Sequence, residues 1–92
     1  MSDYERQLME QARKGDTEAF EKLAGSYYKK VYNIILNSCG KEAGVSELAQ
    51  EVFIRVFKNL KHQPDDSMLA ISIYKSAGDV CMEARGGMRL IS

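Results

Sequence analysis

The sequence predicts an all-α fold, a compact bundle of about four helices. Three observations predict it. Apolar residues recur every three or four positions over long stretches, and no stretch alternates apolar with polar residues as a half-buried strand does. Proline occurs once, at Pro64, between periodic segments rather than inside one. Glycines stand where those segments end, at Gly15, Gly40 and Gly86-Gly87, because glycine accepts the left-handed conformation that stops a helix.

The first helix is predicted from about Asp3 to Lys14. Ser2, with Glu5 three residues on, has the form of a capping box, which satisfies two backbone N–H groups at a helix start. Tyr4, Leu8, Met9 and Ala12 fall on one side, and Gly15 is the stop. The second helix starts at Asp16, a good N-cap. Phe20, Leu23, Tyr27, Val31, Ile34 and Ile35 form its stripe, Tyr28 and Tyr32 widen it, and Gly40 ends it. Gly25 sits inside this helix at a cost of about 1 kcal/mol relative to alanine. It marks either a close helix approach or a tolerated substitution.

The third helix is predicted from about Val45 to Leu60, with Ser46 as a cap. Leu48, Ala49, Val52, Phe53, Val56, Phe57 and Leu60 give it a broad apolar face. A polar loop follows, Lys61-His62-Gln63-Pro64-Asp65-Asp66. The fourth helix spans about Ser67 to Ala84, with Leu69, Ile73, Tyr74, Ala77, Val80, Cys81 and Ala84 toward the core. Gly78 weakens it. Short loops favour neighbouring helices packed side by side. Phe20 and Phe53 are both expected in the core.

The 92 residues suffice for one domain and hardly for two, so 1–92 reads as a single helical domain whose tail, 86–92, frays. Hydrophobic residues make up 45% and charged residues 28%, the balance of a soluble globular protein. No apolar run approaches the ~20 residues that span a bilayer. The polar start, Met1-Ser2-Asp3-Tyr4-Glu5-Arg6, is not a signal peptide. A cytoplasmic protein with no membrane partner is expected. Formal charge is zero, and residues 61–92 are neutral by themselves, which argues against strong nucleic-acid binding.

Catalytic chemistry finds little to work with. Cys39 and Cys81 lack the spacing of a metal site, and His62 is the only histidine. Both thiols read as reduced and packed like small apolar groups. No glycine-rich phosphate loop is present. Glu47 and Glu51 share a helix face, but no histidine lies near them in sequence. No catalytic residue, no metal ligand and no cofactor is expected, and the chain is read as a non-enzyme.

The outer face of the third helix is more informative. Glu47, Gln50, Glu51 and Ile54 lie three, one and three residues apart, so they share one face opposite the core, with Arg55 beside them. A face of acid, amide and one exposed apolar residue suits a polar interface around a small apolar contact. It is also what a solvated helix with an incidental isoleucine looks like.

Two stretches resemble one family. The first is Leu8-Met9-Glu10-Gln11-Ala12-Arg13-Lys14-Gly15-Asp16-Thr17-Glu18-Ala19-Phe20-Glu21-Lys22-Leu23, followed by Tyr27-Tyr28-Lys29-Lys30-Val31-Tyr32. The second is Glu47-Leu48-Ala49-Gln50-Glu51-Val52-Phe53-Ile54-Arg55-Val56-Phe57-Lys58-Asn59-Leu60. Together, in this order and at this separation, they resemble region 2 of the extracytoplasmic-function (ECF) sigma factors of the sigma-70 family. The second stretch is similar to that family's Asp-Leu-x-Gln-Glu-x-Phe-x-Arg helix. The resemblance covers about residues 5–60 well and 67–85 loosely. It implies docking on core RNA polymerase, on the clamp helices of the β′ subunit, through Glu47, Gln50, Glu51, Ile54 and Arg55. It also implies promoter DNA at the −10 element and an anti-sigma factor as further partners.

The fourth helix departs from the family. There the pattern is roughly Phe-x-x-Trp-Leu-Tyr-Arg-Ile-Ala-Arg-Asn, whose aromatic and basic side chains hold single-stranded DNA. Here it reads Leu69-Ala70-Ile71-Ser72-Ile73-Tyr74-Lys75-Ser76-Ala77-Gly78-Asp79. Ser72 replaces the tryptophan, and Gly78-Asp79 replaces Arg-Asn. Lost cations remove phosphate contacts, and the acids Asp65 and Asp66 repel phosphate. The resemblance leaves Lys61, Tyr74, Lys75 and Arg85 as the DNA-contacting positions. These 92 residues hold no counterpart of region 4, the family's other domain. Two functions are therefore expected. One is a transcription-initiation domain that binds core polymerase and −10 DNA. The other is a regulatory or partner-subunit module that keeps the polymerase or anti-sigma docking surface without melting DNA.

Overall fold

The computed structural model of the chain describes residues 2–39, 44–62 and 68–85. Among them every regular element is helical, as the periodicity predicts: α1 (Asp3–Arg13), α2 (Thr17–Cys39), α3 (Val45–Asn59) and α4 (Leu69–Ala84), with a 3-10 turn at Leu60–His62 after α3. The stops expected at Gly40 and Gly86-Gly87, the start at Ser67, the loop around Pro64, the tail 86–92 and the side chain of Cys39 lie outside the described residues.

Local chemistry sets the helix starts. The Glu5 N–H donates to Ser2 Oγ at 3.2 Å, and the Ser2 N–H donates to Glu5 Oε1 at 3.0 Å, which completes the capping box. Gly15 has φ +102°, a left-handed turn that ends the segment after α1. Asp16 Oδ1 then accepts the Ala19 N–H at 3.1 Å and caps α2. α3 starts at Val45 as expected, but its cap differs. Gly44, at φ +87°, precedes the helix, and its carbonyl accepts the Leu48 N–H at 3.0 Å. Ser46 is inside the first turn, with its hydroxyl 3.4 Å from that of Tyr28. Glycine supplies the backbone turn, so no side-chain cap is used.

α1 packs on α2, α3 packs on α4, and α2 also touches both α3 and α4. Met9, Val31, Ile35, Val52, Val56 and Ile73 are completely buried at the centre. Five expectations change and one open alternative closes. Tyr4 is 61% exposed, because α1 meets the core only through Leu8, Met9 and Ala12, beyond its first turn. Tyr74 is exposed at the edge of the α4 stripe, its ring edge-on to Tyr27 with centroids 6.3 Å apart. Ala84 is exposed, one turn past the last core layer at Val80 and Cys81. Phe53 is half-buried, stacked on Tyr28 at 5.9 Å. Lys61 and His62 continue the helical path as a 3-10 turn rather than opening a loop. Gly25 makes no close helix approach, since a Cβ there would meet nothing within 4 Å.

Candidate functional site

α2 and α3 run antiparallel: Phe20 meets Phe57, with ring centroids 5.1 Å apart, and Tyr28 meets Phe53 eight residues further along α2. Between the two helices lies an open groove of about 530 Å³. Phe20, Ala24, Tyr28, Phe53 and Phe57 make its lining largely apolar, and Glu21, Gln50 and Lys58 bring polar groups to it. Gly25 also lines it, in helical backbone with no positive φ. The missing Cβ there widens the groove and serves no packing need of the chain itself.

The residues named from the α3 pattern separate into two flanks. Gln50 and Ile54 line the groove, one turn apart, and Lys58 continues that row. Ile54 is 46% exposed, an apolar group held in water at the groove's lip. Glu47 is exposed close to the same row, one turn before Gln50. Glu51 and Arg55 turn the other way. Arg55 Nε donates to Glu51 Oε2 at 2.8 Å, and Nη1 donates to Glu83 Oε2 at 2.8 Å. Nη2 completes a two-pronged fork on Glu83 Oε1. Arg55 thus ties α3 to α4.

The hydrogen bonds from Glu83, and then from Glu51, raise the Arg55 pKa above the ordinary guanidinium value. The same contact holds the Glu83 carboxyl below the usual carboxylate range. A depressed carboxylate stabilises the fold above its unfolded pKa, about 4.3, and that contribution is lost as pH falls through the lower folded value. Glu83→Gln is therefore expected to flatten the fall in thermal midpoint between about pH 4.3 and more acid conditions. An acid profile identical to that of the unsubstituted chain would show that the pair is not coupled to folding.

The four positions linked to DNA are not gathered into one site. Lys61 is exposed on the 3-10 turn after α3. Tyr74 and Lys75 are neighbours on α4 but point about 100° apart. Arg85 is exposed at the C-terminal end of α4. The α2 wall of the groove escaped the sequence reading. Its signal was Gly25 inside a strong apolar stripe, three residues before Tyr28 at the stripe's margin. No helix among the described residues is long and apolar enough to cross a membrane.

Two curated proteins are similar to the chain. The RNA polymerase sigma-H factor of Pseudomonas aeruginosa is 28% identical over 75 residues, which cover 82% of this chain and 39% of that protein. The ECF RNA polymerase sigma factor SigW of Bacillus subtilis is 25% identical over 75 residues, covering 82% of this chain and 40% of that protein. The chain thus spans about two fifths of the length of the curated relatives it matches. No family model and no solved structure matches it. Distant similarity to sigma factors over most of the chain is the relationship these comparisons support.

Proposed function

We propose that the chain is a sigma region 2-like domain of the ECF type that docks on core RNA polymerase in the cytoplasm, with the β′ clamp helices against α2 and α3. One observation carries this reading: the Gln50–Ile54 row of α3 borders an apolar groove that no side chain among the described residues fills. A helix laid along such a groove buries apolar side chains at its centre and meets polar groups at its rim. Glu47, Gln50 and Ile54 make the contact. Glu51 flanks it, and Arg55 holds the α3 backbone in place through Glu83. The similarity to sigma factors supports the same partner.

A second reading is favoured by the outer face of α4. Ile71 and Met82 are its most exposed apolar groups, and Lys75 stands between them with Asp79 one turn on. A strand-capturing surface needs cations and aromatic rings. Here Lys61, Tyr74, Lys75 and Arg85 supply both, but on separate elements and directions. The second reading is a partner-subunit or regulatory module that keeps the polymerase or anti-sigma docking surface and does not melt promoter DNA.

One titration tests both. The protein is added to core RNA polymerase, and a fluorescent −10 non-template strand is then added to the same sample. Polymerase binding with strand capture is the result for a working sigma domain. Polymerase binding without capture identifies the partner or regulatory module. Absence of polymerase binding removes both polymerase readings and leaves only the distant sequence similarity.

A further inference from the structure

The inner face of α4 is spent on the core, where Leu69, Ile73, Ala77, Val80 and Cys81 are buried. A surface helix needs only one apolar stripe. On the opposite side α4 and the residue before it expose three further apolar side chains. Met68, just before α4, is 40% exposed, and Ile71 and Met82 are 58% and 64% exposed. With Lys75, Gly78 and Arg85 they form the line 68, 71, 75, 78, 82, 85, in which steps of three and four alternate. That spacing is the one on which a two-helix seam is built, here with apolar groups at Met68, Ile71 and Met82 and turned to solvent. A shallow hollow of about 430 Å³ opens along its C-terminal half, lined by Ser38, Gly78, Cys81, Met82 and Arg85. A Cβ on Gly78 would meet nothing within 4 Å, so the glycine leaves a hole in the seam.

We infer that α4 pairs with α4 of a second copy of this chain, antiparallel, about a two-fold axis between Ser76 and Ala77. The charges choose the occupant and its direction. A parallel pair sets Lys75 against Lys75 and Arg85 against Arg85, and like charges in register repel. The antiparallel pair sets Ile71 on Met82 of the second copy, Met68 on the stem of Arg85, and Lys75 over the gap left by Gly78. All three layers share the same axis, so one operation closes the whole interface. The Lys75 stem crosses the glycine hole, and its ammonium reaches Asp79 of the second copy. The contact occurs twice by symmetry. Among the described residues neither Lys75 nor Asp79 has an ion pair within the chain.

One helix per copy is a small interface, below about 1,200 Å² in total, so association is expected only at tens of micromolar or above. It covers Lys75 and Arg85, and so opposes any use of α4 on nucleic acid. It does not involve the α2–α3 groove, and it stands or falls independently of polymerase docking.

The test is sedimentation equilibrium of the full chain from about 1 to 500 µM, a range that brackets a weak interface, with circular dichroism as the folding control. The expected result is a monomer at the low end and a dimer at the high end. Ile71→Lys should abolish the dimer. Lys75→Glu should weaken it at least tenfold by facing Asp79, and Lys75→Glu with Asp79→Lys should restore it. These side chains are exposed in the monomer, so helicity should hold in every variant. A monomer at every concentration overturns the inference and leaves the stripe to another occupant. A dimer insensitive to Ile71→Lys, or one that Lys75→Glu breaks and the double variant does not restore, overturns it as well.

Discussion

Ile54→Glu is expected to weaken binding to core RNA polymerase by roughly thirtyfold, about 2 kcal/mol, the scale of an interface hot spot. The substitution puts a carboxylate at the lip of an apolar groove. Once a partner helix covers it, that charge is desolvated without a counter-ion. The free protein should hardly notice, because Ile54 is 46% exposed and surface changes usually cost within about 0.5 kcal/mol. Gly25→Leu attacks the same groove from the other wall. Its side chain enters open space, and leucine is the better helix former by nearly 1 kcal/mol. Stability should therefore hold or rise while binding falls. Gln50→Ala with Glu51→Ala should weaken binding less, again with helicity unchanged. Fluorescence anisotropy against core polymerase reads all three. If Ile54→Glu and Gly25→Leu both bind like the unsubstituted chain, the groove is not the docking surface.

Phe20→Ala is expected to destabilise the fold by about 3–5 kcal/mol. Phe20 is 6% exposed and packs its ring on Phe57, so truncation leaves a cavity between α2 and α3. A chain of this size holds a total of only about 5–14 kcal/mol. The variant should therefore be partly unfolded at warm temperatures. Phe53→Ala should cost about half of a full aromatic burial, roughly 1–2 kcal/mol, because its ring keeps solvent contact beside Tyr28. Urea unfolding followed by circular dichroism separates the two. Equal losses, or no loss at Phe20, would put the wrong side of α2 toward the core.

Much of this arrangement can be read one helix at a time. The capping box at Ser2 and Glu5, the glycine turn at Gly15 and the Asp16 cap are contacts within three residues, so chain order alone contains them. The buried faces of α3 and α4 follow from apolar periods of three and four. The misplaced residues lie at the margins of those patterns. Tyr4 is on the right side of α1 but before the helix reaches its neighbour. Tyr74 is on the edge of the α4 stripe, where a small rotation of the helix decides between core and water. Ser46 looks like a cap because of its chemistry, yet Gly44 turns the backbone two residues earlier.

The candidate site was legible in half. The row of Glu47, Gln50, Glu51 and Ile54 was visible as an outward face of one helix. Its division was not. Gln50 and Ile54 face a groove because α2 lies on that side, and Arg55 turns to Glu83, 28 residues away, because α4 lies on the other.

The sequence by itself determined the four helices, the caps of α1 and α2 and which face of each helix is apolar, because those depend on backbone capping and on a repeat of 3.6 residues that every helix carries locally. Only the tertiary structure decided that α2 and α3 leave a groove between them, which carboxylate Arg55 grips and that Met68, Ile71 and Met82 stay in water. Those outcomes depend on how far each helix is rotated and slid against its neighbours, and contacts between distant residues set that geometry.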